Sequence, residues 1–220
     1  MTLADRTAVP PPAVPPAPRV APLLALLLLL VLAVGGGVLL LLRPKLDFTN
    51  QLAAPVRLTA GTAEPRTVAP GETVRLGIPR GQTLVAEWEL VRPLSADGTP
   101  MGAPVKGAAV FRGPHGVVRA AATSQAGDGD YFAPLITNAT SQPLRVMVNA
   151  GLRGAVDCGC AVRPGTQQIF IGYYRLFRNS TVQVTGAGGV TAAFPDLGPQ
   201  VTAVDGTVGL RFEDRDLRKP

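Results

Sequence analysis

The chain has 220 residues, a formal net charge of +6 and an apolar fraction of 46%, with 25 glycines and 22 prolines but only 5% aromatic side chains. Its arginines are spread singly along the chain, and the densest charged window, residues 213–219, mixes both signs. No cluster of the kind that tracks phosphates is present, so a nucleic-acid-binding module is excluded. The basic balance suits a solvated surface, anionic lipid headgroups or an acidic neighbouring subunit.

Residues 1–20 include the run VPPPAVPPAP. Consecutive prolines fix φ and remove backbone donors, so this tail is expected to be a polyproline or irregular cytoplasmic spacer. Two PxxP frames within it leave a recognition role open.

Residues 21–42, APLLALLLLLVLAVGGGVLLLL, hold no charge and no side-chain hydrogen-bonding group. As a helix they would extend about 33 Å at ~1.5 Å per residue, enough for a hydrocarbon core of roughly 30 Å. A single transmembrane helix is the expectation. Pro22 is tolerated in its first turn and Pro44 ends it. The rival reading is a signal peptide, an apolar run followed by the small residues 33–37. Against it, the apolar run resumes with VLLLL after the glycines.

Gly35, Gly36 and Gly37 cost ~1 kcal/mol each relative to Ala in an aqueous helix. In lipid, small residues mark where helices approach closely. Ala33 and Gly37, four apart, form a small-residue face with Gly35 and Gly36, read either as a helix-packing face toward other membrane subunits or as a tolerated kink. Orientation is not set by flanking charge, since Arg6 and Arg19 face Arg43, Lys45 and Arg57 in near balance. Two cysteines suited to an oxidising compartment, and a β-rich domain after one span, place the N-terminus in the cytoplasm. The rest is then periplasmic, with the inner membrane between.

The remaining chain repeats itself. TNQLAAPVRL at 49–58 answers TNATSQPLRV at 137–146, an offset of 88 residues, and Pro70-Gly71 answers Pro164-Gly165. Arg80 and Thr83 answer Arg178 and Thr181. The repeat predicts two modules, 46–130 and 131–216. Within the first, Val56 and Leu58 alternate with polar residues, as do Val74, Leu76 and Ile78. Leu84, Ala86, Trp88 and Leu90 share one face opposite Glu87 and Glu89, which makes the sole tryptophan a core residue. Residues 109–112 and 117–121 read as a hairpin about 113–116. Strands of the second module are expected near 132–137, 144–149, 168–172, 181–185, 190–194 and 208–212. The fold class is therefore mainly β: an N-terminal transmembrane helix, then two tandem small β-sandwiches of immunoglobulin-like architecture. A linker of about five residues, 43–47, would hold the first module against the headgroups, with Phe48 helping to seat it.

Cys158-Gly159-Cys160 is the most chemical feature, in a stretch six residues longer than its counterpart and so expected in an extra loop. A small-ring disulfide, a redox or soft-metal pair, and free thiols remain open; a metal would have to recruit His115, Asp157 or Met147. His115 has no nucleophile or second base placed with it. Asp128 and Asp130 resemble part of a calcium loop but lack its distal ligand, and read as a linker. Asn138 and Asn179 head glycosylation triplets that read as structural turns. Tyr173, Tyr174, Arg175, Phe177 and Arg178 form the densest aromatic and basic cluster, either module core or interface anchors.

No catalytic, cofactor or metal constellation assembles from these residues. The expected role is that of a structural or assembly subunit of a larger membrane complex, for instance in electron transfer or photosynthesis, with other membrane subunits and the bilayer as partners. Two alternatives stand beside it. One is an envelope-binding module for glycan or peptide; the other is a periplasmic redox or metal-handling protein using Cys158 and Cys160.

Overall fold

The computed structural model describes residues 26–32, 44–78, 82–112, 116–127 and 129–219. Residues 26–32 are helical and exposed. Among the described residues no helix is long and apolar enough to cross a membrane. The tail 1–20 and most of the expected span, including Ala33, Gly35, Gly36 and Gly37, lie outside the described residues.

Residues 43–220 form one compact, mainly β unit built around two hydrophobic cores. Its first seven strands are β1 (Lys45–Asn50), β2 (Val56–Ala60), β3 (Arg66–Val68), β4 (Thr73–Gly77), β5 (Leu84–Leu90), β6 (Lys106–Phe111) and β7 (Val117–Ala122). They make two sheets, β4-β1-β7 and β3-β2-β5-β6. Alternation drives the packing. In β5, Leu84, Ala86, Trp88 and Leu90 are all buried, while Val85, Glu87 and Glu89 face outward. At ~25 cal/mol per Å² of apolar surface removed from water, each such inward side chain contributes on the order of 1.5–3 kcal/mol.

After the short β8 (Gln125–Ala126) the plan recurs: β9 (Gly129–Ala139), β10 (Leu144–Val148), β11 (Val156–Val162), β12 (Ile169–Phe170), β13 (Tyr174–Arg175), β14 (Val182–Thr185), β15 (Thr191–Phe194) and β16 (Thr207–Glu213). Strands β11-β10-β14-β15 match β3-β2-β5-β6. Likewise β9 pairs antiparallel with β12 and parallel with β16, as β1 does with β4 and β7. The likeness extends to single atoms. Asn50 Nδ2 donates to the carbonyls of Ala54 (2.9 Å) and Val68 (3.0 Å), and Oδ1 accepts from Leu52 N–H (3.0 Å). Asn138 Nδ2 donates to Gln142 (2.9 Å) and Val162 (2.8 Å), and Oδ1 accepts from Thr140 N–H (2.9 Å). Gly71 and Gly165 then donate their amides to the carbonyls of Asn50 and Asn138. A buried asparagine that satisfies three backbone groups at once is costly to replace, and the same knot stands in both copies.

Four sequence expectations need correction. Strand β1 begins at Lys45, so most of the expected linker is strand, and Phe48 is 1% exposed within the first core rather than at a headgroup surface. Strands β6 and β7 do not form a hairpin. The first pairs with β5 and the second with β1, so the two belong to different sheets. The cysteines lie in β11, not in an extra loop. Finally, Leu58 stands opposite Trp88 as Val146 stands opposite Val184, an offset of 184 − 88 = 96 instead of the 98 read from Arg80 and Arg178. A slip of two keeps every side chain on its own face, which is why alternation could not detect it.

Candidate functional site

The joint between the two cores is the most elaborated place in the molecule. Successive residues of an extended strand point to opposite faces. In β9 this sends Tyr131 and Ala133 into the first core and Phe132 into the second. Beside them Tyr173 enters the first core and Tyr174 the second, with Tyr174 opposite Phe132 in register. Two short segments thus form a wall with one face in each core.

Tyr173 is fully buried, and its hydroxyl accepts the amide of Ala53 (2.9 Å) and donates to the carbonyl of Asp205 (2.6 Å). It ties a first-core turn to the loop before β16. Tyr174 acts locally, donating to the carbonyl of Ile171 (2.9 Å). Burial pushes both phenols well above the ordinary tyrosine range. Phe170 meets Tyr173 edge-on at 5.6 Å between centroids.

Two glycines let the backbones close. A Cβ on Gly102 would stand 2.6 Å from the carbonyl oxygen of Tyr173, and Gly172 holds φ +110° with its own Cβ position 3.0 Å from the Met101 carbonyl. The gap is bridged by Ala103 N–H donating to the Tyr173 carbonyl at 2.6 Å. Arg175 lies 5.5 Å over the Tyr131 ring and reaches its hydroxyl. Phe177 is half-buried and Arg178 exposed. Tyr173 and Tyr174 are therefore core residues, one in each core. Tyr131, Phe132 and Ala133 belong to the wall too; the unbroken apolar run at 131–133, buried on both faces, was its sequence signal.

Cys158 and Cys160 are joined in a disulfide. Arg145 pairs with Ala161 but Met147 with Asp157, so Cys158-Gly159-Cys160 forms a bulge in β11, with Gly159 at φ +64°. Cys158 is 4% exposed in the second core and its sulfur accepts the Cys160 amide at 3.1 Å. Gly159 approaches the side chain of Ser95, from the loop after β5. Asp157 accepts the Gly159 amide and Met147 faces outward, 41% exposed. Among the described residues no group of three or more His, Cys, Asp or Glu side chains could hold a metal ion. His115 and Asp128 lie outside the described residues. Asp130 is exposed at the start of β9. Asn138 is fully buried in its knot, whereas Asn179 is exposed in a turn.

One hollow borders the joint and another lies against the first core. A cleft of about 340 Å³ runs along Ser124, Asp130, Tyr131, Leu176 and the turn 201–204. A cavity of about 260 Å³ opens between β6 and β7, walled by Ala108, Ala109, Ala120 and Ala121 and floored by Phe48 and Trp88. No protein-family model matches the chain, and no curated protein matches it.

Proposed function

We propose that this chain is a non-catalytic, single-pass membrane protein whose two β-sandwich modules, immunoglobulin-like in architecture, serve as a rigid docking body for a larger membrane complex. Residues 21–42 are its anchor, the N-terminal tail is cytoplasmic, and the modules lie on the periplasmic side. The observation that carries this reading is the wall at 131–133 and 173–174. It spends the chain's densest aromatic cluster on locking two modules into one body. A body held this way presents fixed surfaces, which lowers the ordering cost of association. The apolar run of 21–42 supplies the bilayer attachment, and Ala33 with the three glycines supplies a face for neighbouring helices.

The test is gentle extraction of the intact chain from native membranes, followed by sizing and identification of whatever copurifies. Recovery in a stoichiometric assembly with other membrane subunits is expected. A lone monomer in every mild detergent would overturn the reading.

A redox role for Cys158 and Cys160 is the second reading, favoured by their joined state in a bulge, a place where strands commonly carry functional side chains. Replacing both cysteines would then abolish thiol exchange with partner proteins. Under the docking reading the assembly is unchanged.

A further inference from the structure

The two modules differ most at one edge. A sheet edge exposes unpaired N–H and C=O groups, and proteins blunt such edges with short strands, bulges or covering segments. Three of the four outer edges of the two four-stranded sheets follow this rule. Strand β3 has three residues, β11 carries the Cys158–Cys160 bulge, and β15 is covered by Arg218, which exchanges two backbone bonds with Thr191 at 2.7 and 2.8 Å. Strand β6, the counterpart of β15, is six residues long in unbroken register with β5. Among the described residues no backbone hydrogen bond reaches its outer side.

Behind that edge lies the alanine-walled cavity of about 260 Å³. Its floor is kept open by Gly107, since a Cβ there would stand 2.8 Å from the Trp88 ring. The edge itself carries two cations, Lys106 and Arg112, and no carboxylate, with Glu89 of β5 opposite Lys106 on the inner side. Lys106 and Arg112 are exposed at the two ends of β6, with Val110 62% exposed between them. A strand added here would have these residues as its nearest cross-strand neighbours. Glu87 and Glu89 of β5 lie one strand further away, ~4.8 Å beyond.

We infer that β6 is a docking edge for an extended acidic segment of a partner protein. The segment adds a strand to the sheet, sets aliphatic side chains into the cavity over Trp88, and places Asp or Glu beside Lys106 and Arg112. A second copy of this chain is disfavoured as occupant. The antiparallel register that uses all of 106–112 would set Lys106 directly opposite Arg112 of the other copy, a like-charge pair on each side. This inference rests on the docking reading above and names the surface and partner chemistry it would use.

The test uses the full-length chain in detergent and the fluorescence of Trp88, its only tryptophan. The probes are the synthetic peptide (Val-Glu)4 and its charge-inverted control (Val-Lys)4. Saturable change in emission with the first, at least tenfold weaker with the second, is expected, and the preference should invert in the surface variant K106E/R112E. Equal responses to the two peptides, no response to either, or a change driven by protein concentration alone would overturn the proposal. Copurification from native membranes separates the two readings. Partners retained at wild-type level by K106E/R112E sink the β6 edge and leave the docking body standing. Peptide discrimination together with a partnerless wild-type chain sinks the docking body and leaves the edge.

Discussion

The first and second cores are built on one plan, yet they spend their differences in opposite ways. Around the second core, additions close things off: β11 is four residues longer than β3 and carries the cross-linked bulge, and the C-terminal segment covers β15. Around the first, the matching positions stay plain, with a three-residue β3 and an uncovered β6. The asparagine knot is the shared part, and it survives because its three bonds are fixed by backbone geometry alone. The lesson is that the repeat preserves what the backbone requires and diverges where the surface is free to acquire a role.

That comparison can be broken most severely at the knots. Asn50→Ala and Asn138→Ala each strand two buried carbonyls and an amide, and should each cost about 3–5 kcal/mol. Because the cores share a wall, both variants should still unfold in one cooperative transition in urea. Two separated transitions would show that the modules are independent. The tyrosines sharpen the same point. Tyr173→Phe loses two bonds that span the joint and should cost about 2–3 kcal/mol, against about 1 kcal/mol for Tyr174→Phe, which loses one local bond. Equal costs in chemical denaturation would contradict the assignment of Tyr173 as the tie between cores.

Next in size is the cross-link peculiar to the second core. Replacing both cysteines with alanine should cost only about 1.5 kcal/mol, because the closed ring is so short; a larger loss of midpoint would mean the bulge organises more than its own strand. Alkali offers a further probe. Both buried phenols titrate above the ordinary range, so the stability tied to them is intact below about pH 10, the unfolded value, and falls as pH rises past it. Phenolate absorbance from Tyr173 and Tyr174 should therefore appear together with loss of near-ultraviolet circular dichroism, not before it. The smallest effect belongs to Asp47. Its hydrogen bond to Arg75, at 2.6 Å, holds its carboxyl below the usual carboxylate range. Its contribution is present above the unfolded value and lost as pH falls through the folded one. Asp47→Asn should flatten the acid side of the stability profile and leave neutral pH nearly unchanged.

Most of the β architecture was legible because half-buried strands alternate, and the repeat was legible because Asn50 and Asn138 do the same work. What alternation cannot encode is which edge a strand pairs with. That is why β6 and β7 read as a hairpin when they belong to different sheets, and why a two-residue slip in β5 against β14 went unseen. The cysteine insertion read as loop because a bulge adds residues without ending a strand. Tyr173 and Tyr174 could be recognised as a cluster but not apportioned, since their opposite destinations depend on two cores meeting at one strand pair.

The wall has a consequence for truncation. Tyr131, Ala133 and Tyr173 fill the first core from chain positions that belong to the second copy. Cutting the gene between residues 130 and 131 would leave the first half missing three of its own interior side chains. A single-repeat version would have to be redesigned rather than excised.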